Sequence, residues 1–148
     1  MVYIREFEFI RDDDMYIAIP FGLAGGTEGY GLEDAVRMAS DWLRIHVLDA
    51  LEHGREFPQG SVGNAPREGG VVIAVSVDAS LSDVPAVTAA EAARRLGVST
   101  ARVAQLCKSG ELASWKVGGT RMVSEDSILL RREESPKPGR PAREAMPA

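Results

Sequence analysis

"VTAAEAARRLGVSTARVAQLCKSGELASWKVGGTRMVS", Val87 to Ser124, is the stretch on which the reading of this chain turns. Thr88 stands before an alanine-rich run and Glu91 follows three residues later. That is the spacing of a capping box, in which the hydroxyl and the carboxylate each take an orphan amide. Ala92, Ala93 and Leu96 share one helical face, and small alanines permit close helix approach. Gly97 ends the run, Val98 is expected to plug the turn, and Ser99 is placed to cap a second helix. There Val103, Leu106 and Cys107 face inward. Thr100, Arg102, Gln105 and Lys108 face outward, near the end of the helix that meets base edges in a recognition helix. Gly110 stops that helix. Two short strands joined through Gly118 and Gly119 follow as a wing, with Lys116 and Arg121 bracketing its tip. "EDSILLRR" closes the segment as a helix whose cationic end suits its dipole.

The whole chain is acidic, with a formal net charge of -5, which sits badly with a DNA-binding segment. The charge is unevenly spread. Residues 1–86 hold 6 Lys/Arg and 15 Asp/Glu, hence -9, and residues 87–132 hold 8 and 4, hence +4. Residues 133–148 hold 3 of each. Such asymmetry points to two parts with different partners. Aromatic residues are only 6% of the chain, which argues against a protein that grips single strands by base stacking. The one cysteine, Cys107, makes no internal disulfide and reads as a reduced core thiol. "MVYIREFEFI" alternates and carries charge, unlike a signal peptide. No apolar run approaches the roughly 20 residues that span a bilayer, so the expectation is a cytoplasmic protein with no membrane partner.

The acidic part reads as an ordered series of elements. Val2–Ile10 alternates, with Tyr3, Arg5, Phe7 and Phe9 on one face. "RDDD" is a polar turn, and "MYIAIP" is a second strand stopped by Pro20. A short strand is expected around Gly26–Tyr30, within a glycine-rich stretch that lacks phosphate-loop spacing. A helix follows from about Glu33 to His53. Val36, Ala39, Leu43, Val47 and Ala50 should pack on the sheet, and a second stripe (Ala35, Met38, Trp42, Ile45) widens the apolar surface. "REFPQGSVGNAPREGG" is a loop, and "VVIAVSVD" is a fourth strand apolar enough to be expected mid-sheet. The fold class expected is α+β: an N-terminal β-β-β-α-β domain over residues 1–80, a linker at 81–86, a small winged helix-turn-helix domain over 87–132, and a disordered tail at 133–148. The tail's "KPGRPAR" has Pro138 where a minor-groove AT-hook wants arginine.

Two resemblances add to this reading. Val87–Arg132 resembles the excisionase and MerR-type winged helix-turn-helix group, through "TAAEAARRLGVS", "SGEL", "WKVGG" and "RMVSEDSILL". That resemblance implies that Thr100, Arg102 and Gln105 read bases while Lys116 and Arg121 hold phosphates. With Arg94, Arg95, Ser99 and Lys108, these are the candidate DNA-binding residues. A single domain of this size is a weak reader, so a homodimer on paired half-sites is expected.

Roughly Val2–Asp78 resembles the HicB-type antitoxin domain, matching at Gly29, Leu32, Glu33, Asp34, Ala35, Gly54 and Pro58. It departs where Gly31 replaces the usual Thr and Gly26 the usual Cys or His. The resemblance implies a partial RNase H-like fold that binds a small basic mRNA-cleaving toxin, HicA; with the winged helix-turn-helix domain, the expectation is a type II antitoxin that also binds operator DNA as repressor of its own operon. The alternative is a stand-alone transcriptional regulator or excisionase-like factor whose N-terminal domain serves dimerisation. No enzyme is read here. Asp12, Asp13 and Asp14 are consecutive in a turn, whereas two-metal hydrolysis needs carboxylates converging from separate elements. His46 and His53 lie too far apart along one helix to share a metal. No cofactor or metal is expected.

Overall fold

A computed structural model describes residues 1–134 of the chain. Of the tail expected to be disordered from 133, Glu133 and Glu134 instead close the last helix, and residues 135–148, with "KPGRPAR", lie outside the described residues. The chain divides into two compact units, Met1–Val84 and a second beginning at Pro85.

The N-terminal unit comprises β1 (Val2–Asp12), β2 (Met15–Pro20), β3 (Thr27–Tyr30), α1 (Gly31–Glu52) and β4 (Val71–Asp78). The strands make one sheet in the order β3-β2-β1-β4, with every neighbouring pair antiparallel. This is the expected β-β-β-α-β order, and with the second unit the molecule is α+β. One expectation fails: β4 is an edge strand and not a central one. Its apolar run is buried on one side only. Val75 and Val77 face the core while Ala74 and Ser76 are exposed, so the sequence overstated how enclosed the strand is.

α1 covers one face of the sheet. Ala35, Ala39, Leu43, Val47 and Ala50 are its buried residues, meeting Phe7, Phe9, Ala18, Val75 and Val77 in one core. Ala35, read as part of the second stripe, belongs to the core, whereas Val36 is only half-buried. Trp42 packs edge-on against Phe7, with ring centroids 5.8 Å apart, and Ile45 points to solvent. β3 passes so close beneath the helix that a Cβ on Gly29 would lie 2.5 Å from the Ala35 nitrogen. Only glycine fits that crossing.

Two features of β1 were not legible from its alternation. Arg5, on the core face, is 2% exposed. Its guanidinium donates to the carbonyls of Phe21 (3.0 Å) and Pro58 and lies over the Phe57 ring. On the other face Glu6 and Glu8 are buried beneath the α1–β4 loop. Glu6 accepts from the Gly63 and Asn64 amides and the Asn64 side chain. Glu8 accepts from the Arg67, Glu68 and Gly70 amides. The Asn64 and Gly63 amides hold the Glu6 carboxyl below its usual range. Burial works against ionisation of Glu8, yet its three amides and the Arg67 charge bring the net shift down as well.

The stretch expected to be a linker is largely structured. Leu81–Asp83 form a 3-10 turn in which Ser80 and Asp83 exchange a capping box, and Val84 is buried. Ala86–Thr88 are already a strand, β5. The second unit continues with α2 (Ala89–Leu96), α3 (Thr100–Lys108), β6 (Ser114–Val117), β7 (Thr120–Ser124) and α4 (Glu125–Glu134). Its sheet runs β5-β7-β6. Ala92, Ala93, Val103, Leu106, Leu112, Val123 and Ile128 form its core, with Cys107 half-buried against them. Among the described residues no helix is long and apolar enough to cross a membrane.

Candidate nucleic-acid interface

The presenting elements are fixed by local chemistry. The Thr88 hydroxyl accepts the Glu91 amide at 3.2 Å and starts α2. The reciprocal half of the expected capping box is not how the Glu91 carboxylate is used: it takes Arg94 and Arg95 instead. Gly97 closes α2 in the left-handed conformation, φ 68°. The Val98 amide reaches back to the Ala93 carbonyl at 3.0 Å, the outer bond of a Schellman motif. Val98 itself is 38% exposed and does not plug the turn. Ser99 caps α3 by accepting from the Arg102 amide at 3.1 Å.

With Val103 and Leu106 buried, α3 leaves Thr100, Arg102, Gln105 and Lys108 exposed on its outer surface. Arg102 Nη1 donates to Gln105 Oε1 at 3.2 Å. This sets a guanidinium and an amide side by side, two groups able to read guanine and adenine edges.

The wing turns through Gly118 and Gly119, both at positive φ (56° and 87°). That is the requirement of a two-residue type I′ hairpin. The turn places Lys116 directly opposite Arg121. Like charges facing each other across a strand pair destabilise it, and a phosphate between them would relieve the cost. Arg121 is held by the Ser114 hydroxyl, 2.9 Å away.

The candidate cations fall into two sets. Arg94 and Arg95 pair with Glu91, and Arg95 also reaches Glu125 at 3.1 Å. Arg131 pairs with Glu111. Arg102, Lys108, Lys116 and Arg121 form no ion pair among the described residues. Those four lie on α3 and the wing, whereas the paired ones tie α2, α4 and the α3–β6 loop together; Arg132, at the end of α4, also forms no ion pair among the described residues. The bridges of Arg95 to Glu125 and Arg131 to Glu111 span 30 and 20 residues. No local pattern announces them.

In the N-terminal unit Asp12, Asp13 and Asp14 lie exposed at the β1–β2 turn, with Asp13 at φ 57°. The Gly31 amide donates to the Asp14 carbonyl at 3.0 Å, so exposed Glu33 at the head of α1 joins the same acidic end. Asp49, Glu52 and His53 lie within 4.8 Å of one another at the far end of α1. They are at the surface, and Arg55 occupies the Asp49 carboxylate.

Residues 86–134 match the family model for a helix-turn-helix domain, so this third of the chain is such a domain. No curated protein matches the chain. Among solved structures the chain is similar to one from a toxin–antitoxin complex of Streptococcus pneumoniae, at 20% identity and a TM-score of 0.42. That match covers 74% of this chain and 97% of the other.

Proposed function

We propose that the protein is a DNA-binding antitoxin and autorepressor. Its helix-turn-helix domain binds operator DNA as a homodimer, and its acidic unit neutralises a small basic RNA-cleaving toxin of the HicA kind. The observation that carries the DNA reading is the sorting of cations. Among the described residues Arg102, Lys108, Lys116 and Arg121 have no carboxylate partner and sit on the recognition helix and the wing, where bases and phosphates would lie, whereas Arg94 and Arg95 on α2 and Arg131 on α4 are committed to internal ion pairs. Thr100, Arg102 and Gln105 read bases, with Ser99 and Lys108 at the two ends of the same helix, while Lys116 and Arg121 grip the backbone. Arg94 and Arg95, paired with Glu91 and Glu125, brace the domain that presents these residues.

The partner reading rests on charge and on the sequence likeness to HicB-type domains. A unit at -9 repels nucleic acid and attracts an RNA-binding surface. Asp12, Asp13 and Asp14 at the β1–β2 turn and Glu33 at the head of α1, which form no ion pair among the described residues, are the surface it offers. Co-expression with the product of a neighbouring small open reading frame tests this: a co-purifying complex and rescue of growth are expected. Growth arrest that persists, with no complex formed, would end the antitoxin reading and leave a plain DNA-binding regulator.

A further inference from the structure

The N-terminal sheet has two edges, and they differ in kind. β3 is four residues long, contains a glycine and carries Glu28. β4 is eight residues long, with no charge, proline or glycine from Val71 through Val77. Folded proteins normally blunt their edge strands by shortness, charge, proline or bulges, because an open edge is a template for pairing. β3 is blunted in this way and β4 is not. Within its unit β4 has a strand on one side only, and Val71, Ala74 and Ser76 are exposed along it.

We propose that β4 pairs antiparallel with β4 of a second copy of this chain, about a two-fold axis at Ala74, joining the two four-stranded sheets into one. This deepens the homodimer proposed above and rests on that reading. The register follows from the run itself. Ala74 is the midpoint of the uncharged stretch 71–77, so Val71 meets Val77, Val72 meets Ser76, and Ile73 meets Val75. The core-facing residues Ile73, Val75 and Val77 thereby stay on the α1 side in both copies, and Asp78 falls outside the pairing. Moving the axis to Val75 would set Asp78 against Val72. The strand spans about 24 Å, at roughly 3.4 Å per residue over seven residues.

The choice of a second copy follows from charge. A basic partner is drawn to carboxylates, and this edge offers none before Asp78. Two copies of a unit at -9 repel each other over most of their surface, so they can meet only along an uncharged strip, and β4 is such a strip.

The test uses the full chain without DNA. Sedimentation of the wild type is compared with Ala74→Lys and Ser76→Lys, and Ala74→Cys in a Cys107→Ser background is oxidised mildly. The expected result is a wild-type dimer and at least tenfold weaker association in both lysine variants, with unchanged circular dichroism. The Ala74→Cys variant should form an intermolecular disulfide, since opposite residues of an antiparallel pair lie about 4.5–5.5 Å apart. Should Ala74→Lys lose its fold, Ser76→Lys and the cross-link decide. A monomeric wild type overturns both this pairing and the homodimer. A dimer that withstands both lysines and leaves the Ala74→Cys variant without a cross-link overturns the β4 pairing alone. Loss of toxin capture in the lysine variants with an intact dimer likewise overturns it, giving the edge to the toxin.

Discussion

Replacing Lys116 with alanine removes one of the four unpaired cations on α3 and the wing, and its effect can be worked out in advance. Each phosphate neutralised on B-DNA contributes about 0.9 to the slope of log affinity against log salt. On a duplex of arbitrary sequence, where Arg102 has no matching base edge to read and rests against the backbone as Lys108, Lys116 and Arg121 do, one domain has a slope of about -3.6. Affinity then falls about 150-fold between 50 and 200 mM salt. Lys116→Ala lowers the slope to about -2.7 and the fall to about 40-fold, equally for any sequence. Arg94→Ala leaves the slope unchanged, because Arg94 is already neutralised by Glu91. The assay is fluorescence anisotropy of a labelled duplex of arbitrary sequence, titrated at several potassium chloride concentrations. An equal change of slope in the two variants would refute the sorting of cations into presenting and structural sets.

Arg102→Ala should weaken a specific operator by about 1–3 kcal/mol and relax base preference at one position, which selection from a random duplex library would reveal. Gly29→Ala forces a methyl group onto the α1 backbone. It should cost about 1–3 kcal/mol in urea denaturation of the N-terminal unit and leave DNA binding intact. Leu106→Ala opens a cavity in the small second core and should cost about 2–5 kcal/mol. A unit of this size has little stability to spare, so DNA binding should fail with it at 37 °C. Both Glu6 and Glu8 have carboxyl pKa values lowered in the folded state. Their hold on the 60–70 loop is therefore complete above the ordinary carboxylate range and is lost as pH falls through their lowered folded-state pKa values. Limited proteolysis should find the loop protected at pH 7 and cut progressively faster as the pH is taken well below the ordinary carboxylate range, and Glu8→Gln should expose it at pH 7.

The elements of both units could be read from the sequence because their signals are local. The alternation of β1, the 3.6-residue period of α1 and the Thr88, Ser99 and Gly97 boundaries each declare themselves within a few residues. The wing register was also within reach, since a two-glycine turn between Val117 and Thr120 leaves Lys116 and Arg121 no choice but to face each other. What escaped depends on distant partners. The place of β4 at an edge is set by β2 occupying the other side of β1. The role of Glu6 and Glu8 is set by amides about 60 residues away, and the commitment of Arg95 by Glu125. β5 was missed because Ala86 and Val87, just ahead of the Thr88 cap, look like an approach to the helix.

Hydrogen–deuterium exchange of the full chain, with and without duplex DNA, tests the division of labour most directly. Added DNA should slow exchange in peptides covering 99–108 and 114–124 and leave residues 1–84 unchanged. Protection appearing across the N-terminal sheet while the recognition helix and wing exchange as before would contradict the account.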